Sequence, residues 1–325
     1  MSKRIATLDE KRFMPHRKCK KAKYDTNWNN MPMEMKAMIM KYMDVITRTR
    51  LKMCSKSDKY LVDTFRIIGP NMDASTYQSP GESPRRILHL NVLKVLQYKT
   101  KVKVWRFGKE QHETEWDTEA EAVEMIERYF YSILLAKHIR IGHLCVNWKL
   151  NDKFIPAGHM LHLKSVSLEL GDGKECVKWL KHVAHGVKDI VFGKDHDEDD
   201  QMIGEIDGIE VIPCLLQANY LCLPYNNDIN DEQLLSLNAT HLCLKATHVT
   251  FEGIRKLVKK WIDEEYPIGS FLNLRFSQRQ EIEEVLEGFT FQRNPSNKKI
   301  INIGANKVIE VEMRGLYFIG RIFRK

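Results

Sequence analysis

The sequence predicts an α/β fold: a small three-helix unit near the N-terminus, followed by an irregular array of β/α repeats. Two observations carry this reading. From Pro32 the apolar residues Met35, Met38, Ile39, Tyr42 and Met43 recur at helical spacing, and two further short helical stretches follow by residue 63. Beyond residue 140, short strands with alternating apolar residues recur at Leu144/Val146, Val166/Leu168/Leu170, Ile190/Phe192, Leu221/Leu223, Leu242/Leu244 and Leu272/Leu274/Phe276. The intervals from Leu144 through Leu168, Ile190, Leu221, Leu242 and Leu272 are 24, 22, 31, 21 and 30 residues.

One strand and one helix per interval of this length is the leucine-rich-repeat signature, in which each unit covers the apolar face that its neighbour leaves open. Two units align directly. LCLPYNNDINDEQLLSL (221–237) matches LCLKATHVTFEGIRKL (242–257): strand, turn, capping residue (Asn230 or Thr250), then an amphipathic helix.

Before the repeats, the elements follow in order. Residues 1–25 hold nine Lys/Arg against Asp9, Glu10 and Asp25 and lack apolar periodicity, so they are expected to be a disordered basic tail. They carry most of the chain's net charge of +8. The rest is nearly balanced, which argues against a broad phosphate-binding groove and makes nucleic acid an unexpected partner. The cluster His16-Arg17-Lys18-Cys19-Lys20-Lys21-Ala22-Lys23 is open to three readings, a solvated terminus, a nuclear import signal or a nucleic-acid contact. Pro32 suits the first turn of a helix, where its missing N–H is not needed. Residues 64–85, with Pro70, Pro80, Gly81 and Pro84, read as an irregular linker. The apolar residues from Ile87 to Val95 and from Val102 to Phe107, split by Lys99-Thr100-Lys101, suggest a two-strand hairpin. Thr118-x-x-Glu121 is a capping box opening a helix to about residue 137, with Val123, Ile126, Phe130, Ile133 and Leu134 on one side.

Composition excludes several classes. With 43% hydrophobic and 29% charged residues in 325, the chain reads as a globular protein with a sizeable core. No run of 18 apolar residues occurs, so no membrane partner is expected. The seven cysteines are scattered without a C-x-x-C pair, which points to a reduced compartment, cytoplasm or nucleus. The acidic run from Asp195 to Asp200 lacks the Gly-centred spacing of a calcium loop. Gly171-Asp172-Gly173-Lys174 lacks the full phosphate-loop pattern and reads as a turn into a helix. His159/His162 and His182/His185 could each share a helix face, and His143/Cys145 and His241/Cys243 each share a strand face. None has further ligands or an orienting third group in the sequence, so neither a metal, a cofactor nor an enzymatic activity is expected.

Residues 31–62 resemble the F-box. Its pattern reads here as Met31-Pro32-Met33-Glu34, Ile39-Met40, Met43-Asp44, Arg50-Leu51 and Ser55-Lys56, with Met replacing Leu at 31, 40 and 43. From about residue 87 the chain resembles the F-box-associated domains of the large nematode F-box families. The stretch LSLNATHLCLKATHVTFEGIRKLVKKWIDEEYPIGSFLNLRF (235–276) carries that likeness. These resemblances imply an α/β chain with an N-terminal three-helix F-box followed by an irregular leucine-rich-repeat-like β/α solenoid. The implied division is a tail at 1–25, the F-box at 26–66, a linker and β-hairpin at 67–115 and the substrate-recognition domain at 116–325. They further imply a subunit of an SCF-type cullin–RING ubiquitin ligase. The F-box would dock on the Skp adaptor, and through it on the cullin, via Met31, Pro32, Glu34, Met35, Ile39, Met43, Arg50 and Leu51. The repeat domain would hold an unidentified protein substrate.

Alternation places His143, Cys145, Asn147, Ser167, Glu169, Tyr220, Cys222, His241, Cys243, Lys245, Asn273 and Arg275 on one exposed sheet face. Tyr220, Lys245, Asn273 and Arg275 are the candidate substrate contacts, since aromatic and Arg residues are enriched where binding energy concentrates. Two rival readings are a ligase-independent module that sequesters a partner, and a nuclear protein that contacts nucleic acid through its basic tail.

Overall fold

Leucines alternating with polar residues build the centre of the molecule. Six strands fall where the leucine spacing places them: β8 (His143–Val146), β9 (Ser165–Leu168), β10 (Asp189–Phe192), β11 (Tyr220–Asn227), β12 (His241–Ala246) and β13 (Phe271–Arg275). The computed structural model describes residues 28–325 except 44, 66, 69–70, 79–80, 82, 91–92, 107–108, 137–138, 171, 194–211, 228, 247, 277–280, 294–297 and 305. The basic tail and the acidic run from Asp195 to Asp200 lie outside the described residues.

The six strands are parallel neighbours in sequence order. In register, Leu144, Val166, Ile190, Leu221, Leu242 and Leu272 form one buried row. The row runs through Val166, two residues before the Leu168 used in the interval count; a shift of two keeps the same face. Helices α5 (Gly173–Lys181), α6 (Pro213–Leu216), α7 (Asp231–Ser236) and α8 (Phe251–Asp263) connect successive strands from β9 onward. Their ends have sequence-level causes. Asp172 accepts from Lys174 N at 2.9 Å, Asn230 and Gln233 form a reciprocal capping box, and Thr250 accepts from Gly253 N at 3.2 Å. Trp179, Leu234 and Trp261 from these helices share one core with the leucine row.

Residues 64–85 are not an irregular linker throughout. Residues Asn71–Tyr77 form β2, paired parallel to β8, with Met72 and Ala74 fully buried. The hairpin expected over residues 87–107 is part of a larger meander: β3 (Arg85–Leu90), β4 (Leu93–Tyr98), β5 (Lys101–Arg106) and β6 (Lys109–Glu115), each antiparallel to the last. The Lys99-Thr100 turn is where the sequence placed it, with Lys99 at φ 52. Strands β2 to β6 therefore belong to the main sheet, because their edges are paired on β8 and on one another.

Helix α4 (Glu119–Leu134) packs on this meander and starts at Thr118, whose Oγ1 accepts from Glu121 N at 3.2 Å. Its buried face is Ala122, Ile126, Phe130, Tyr131, Ile133 and Leu134; Val123 is only half-buried. Phe130, Tyr131, Trp148, Phe154 and Trp179 stack into an aromatic cluster with ring centroids 4.9 to 6.4 Å apart.

At the far end, β17 (Tyr317–Arg324) pairs antiparallel to β13, followed outward by β16 (Lys307–Arg314), β15 (Lys299–Ile303) and β14 (Phe291–Arg293). Short helix α9 (Ile282–Val285) precedes them. Among the described residues the strands form a 15-stranded sheet, parallel in the middle and antiparallel at both ends, with a separate parallel pair of β1 (Ile67–Ile68) and β7 (Ile139–Arg140). N-terminal to it lie α1 (Met33–Lys41), α2 (Val45–Cys54) and α3 (Lys56–Thr64). Among the described residues, no helix is long and apolar enough to cross a membrane.

Candidate functional site

Three short helices bury very little among themselves. Among the described residues, the fully enclosed core of the N-terminal unit is Met40, Leu61 and Val62, with Trp28, Met43 and Leu51 packed around it. Such side chains contribute roughly 1.5–3 kcal/mol each, a small total for some forty residues. Polar contacts also join the helices. Arg48 is 3% exposed and donates to Phe65 O at 2.6 Å and to Met40 O, joining the ends of α1 and α3. Burial holds its guanidinium below the usual arginine value. Trp28 Nε1 donates to Asp58 Oδ1 at 2.6 Å, and Ser55 both caps α3 and donates to Asp58 Oδ2 at 2.7 Å. Arg106 of β5 donates to Thr47 Oγ1 of α2 at 3.2 Å, linking this unit to the sheet.

Outside that core, large apolar side chains face solvent. Met35 is 52% exposed, Met38 60% and Tyr42 89%, along one side of α1, and Met33, Met53 and Tyr60 are also exposed. The row Met35, Met38 and Tyr42 is an apolar surface of the kind that marks a docking site. Of the residues inferred from sequence, Met35, Pro32, Glu34 and Arg50 are exposed, and Met31 and Ile39 are half-buried. Met43 and Leu51 are also half-buried, and pack against the internal core. Met38 and Tyr42 belong to the surface but not to that set. Their helical spacing with Met35 was the available signal.

The second surface is the face of the sheet opposite the leucine row, called here the open face. The strand alternation expected from sequence holds: Leu144, Val146, Leu242, Leu244, Leu272 and Leu274 are buried, while His143, Cys145, His241, Cys243, Asn273 and Arg275 alternate with them and are half-buried. Cys222 lies on the open face yet is 8% exposed. Tyr220 stacks on His241 with centroids 6.0 Å apart, at the N-terminal ends of their strands. Lys245 and Arg275 lie at the opposite ends, four residues or about 13 Å along. The candidate substrate residues thus share a face but occupy its two ends. Asn273 sits between, its Oδ1 buried without a hydrogen-bond partner among the described residues.

Charge distinguishes these ends from the rest. On β5, Lys103 lies 2.8 Å from Glu113 and 3.6 Å from Glu110, and the Glu113 hydrogen bond raises its pKa. Lys101 lies 3.3 Å from Glu113. Lys245 has the opposite environment: partial burial, then the charge of Arg275, push its pKa below the usual lysine value. Among the described residues neither Lys245 nor Arg275 has a carboxylate partner. The Arg275 guanidinium instead lies 5.5 Å from the Tyr317 ring, its direct partner across β17.

Two of the residue types that the sequence singled out can be placed, the Cys145 thiol and the paired histidines. Burial first, then Glu169 and Asp73, push the Cys145 thiol up to about 12, the reverse of what a thiolate nucleophile needs. His159 and His162 lie outside any helix, and His182 is the C-cap of α5, so neither histidine pair shares a helix face as the spacing allowed. No group of three His, Cys, Asp or Glu able to hold a metal occurs among the described residues.

Comparison with curated proteins and with solved structures finds no match. Comparison with protein families matches residues 28–68, the segment of the three helices, the buried Arg48 and the exposed methionines. That segment is an F-box domain.

Proposed function

We propose that this chain is the substrate-recognition subunit of an SCF-type cullin–RING ubiquitin ligase. An F-box implies binding to the Skp adaptor and thereby to the cullin scaffold, and suggests in general an adaptor role in substrate recognition. The observation that carries the reading is the exposed row Met35, Met38 and Tyr42 on the F-box, an apolar surface that no described residue covers. The remaining part of the proposal concerns the sheet. Its parallel strands, adjacent in sequence order at intervals in the twenties to low thirties, support a leucine-rich-repeat-like array from β8 to β13. In this reading the F-box spans residues 26–66, the recognition domain begins near residue 67, and the open face with Tyr220, Lys245, Asn273 and Arg275 holds a protein substrate for ubiquitination and degradation. The test is coexpression of the full chain with the Skp adaptor. The wild type should copurify with it, and Met38→Asp should lose the complex by placing a carboxylate in a surface that is desolvated on binding. A wild-type chain that does not copurify, or a Met38→Asp chain that still does, overturns the reading.

A further inference from the structure

We propose that Lys245 and Arg275 form a reading site for carboxylates on the open face, and that the segment captured there is acidic. The inference rests on the proposed substrate role of that face and names the chemical class it takes.

Three observations point to it. First, the two cations are neighbours at the C-terminal ends of adjacent parallel strands: Leu244 pairs with Leu274, and each cation is the next residue. Two like charges placed side by side, without a carboxylate among the described residues, repel each other, and the lowered Lys245 pKa has that repulsion as a cause after burial. The charges on β5 and β6, on the same sheet, are paired across strands instead. An anion bound between Lys245 and Arg275 would remove the repulsion.

Second, Tyr317 lies against the guanidinium at 5.5 Å. Stacking on an aromatic ring restricts the orientation of the guanidinium and leaves its N–H edges for a planar acceptor, the geometry in which arginine binds carboxylates through two bonds.

Third, the backbone is irregular beside Lys245. The β11–β12 pairing slips between Leu223 and Asn226, so that Asn226 pairs with Lys245. Bulges of this kind re-aim side chains next to binding sites.

The test uses the full chain and a fluorescent peptide of about ten residues rich in Glu, with Lys-rich and Ser-rich peptides of equal length as controls. The basic tail would also attract an acidic peptide, so all comparisons are between chains that share it. The wild type should bind the Glu-rich peptide over both controls, more weakly at about 500 mM than at about 50 mM salt. Lys245→Ala with Arg275→Ala should weaken that binding about tenfold or more with an unchanged melting temperature. Lys245→Glu with Arg275→Glu should transfer the preference to the Lys-rich peptide, an outcome that mere loss of structure would not produce. Equal binding by wild type and the Ala variant, or no transfer of preference in the Glu variant, overturns the proposal. Clear preference for a phosphoserine version of the peptide over the Glu version overturns the carboxylate assignment. Adaptor copurification is measured on the same variants. If it fails in the wild type while the acidic peptide binds as described, the ligase reading falls and this site stands; the reverse result leaves the ligase reading standing without this site.

Discussion

The indole of Trp28 donates to Asp58 Oδ1 at 2.6 Å, thirty residues along the chain, and so closes the F-box from its first turn onto its last helix. Asp58 is 6% exposed and its other oxygen accepts from Ser55, so both of its oxygens are served by donors that it would lose only on unfolding. Trp28→Phe keeps most of the apolar contact and removes one donor to a buried carboxylate, at a cost of about 1–3 kcal/mol. Hydrogen exchange of the α3 amides should then accelerate while that of β11 to β13 is unchanged. Unaltered protection in α3 would show that the bond is incidental.

Neighbouring methionines on α1 should behave in opposite ways. Met40 is fully buried, and Met40→Ala should destabilise the F-box by about 2–5 kcal/mol through lost burial and the cavity left behind. Met38 is 60% exposed, so Met38→Ala should change stability by no more than about 0.5 kcal/mol and act on adaptor affinity alone. Thermal melting and adaptor titration on the two variants separate these effects.

Gly253 stands where a side chain has no room. A Cβ there would lie 2.1 Å from Asp231 Oδ1 and 2.4 Å from its Cγ. Asp231 accepts from Thr250 N at 2.8 Å and from Thr250 Oγ1 at 2.6 Å, tying α7 to the start of α8. Replacing a helical glycine with alanine ordinarily gains about 1 kcal/mol. Here Gly253→Ala should instead lose about 1–3 kcal/mol, because Asp231 must leave its place. Adding Asp231→Ala should recover part of that loss; a Gly253→Ala chain as stable as wild type would mean that Asp231 swings aside freely.

Three thiols, two of them buried and one half-buried, predict a response to alkaline pH. Folding raises Cys145 and Cys176 to about 12 and Cys214 to about 11, from an ordinary value of 9.0, with burial the largest cause in each. The unfolded chain releases these protons first, so stability is unaffected below about pH 9 and falls as pH rises beyond it. Alkylation of native Cys145 should correspondingly be slow at pH 8, compared with the exposed Cys54. Peptide mapping that finds Cys145 modified as fast as Cys54 at that pH would contradict the assigned environment.

The parallel core was legible in the sequence because its cause is local. Leu242 and Leu244, or Leu272 and Leu274, alternate with polar residues at a period only a strand satisfies, and Asn230 and Thr250 mark helix starts by their own hydrogen bonds. The apolar spacing of α1 and the basic character of the tail were equally readable. Strand β2 was not. Asn71, Asp73 and Ser75 disfavour strands, and only pairing with β8 and β3 on both edges makes this segment extended. Strand β6 (KEQHETE) likewise has no apolar residue to announce it and is held by cross-strand ion pairs with Lys101 and Lys103. For the sites, alternation placed Tyr220, Lys245 and Arg275 on one face. That Tyr220 stands apart from the two cations depends on strand register. That Met43 and Leu51 turn inward, and that Lys245 and Arg275 lack carboxylate partners among the described residues, depends on which segments meet. Those meetings join residues far apart in the chain, and no local pattern encodes them.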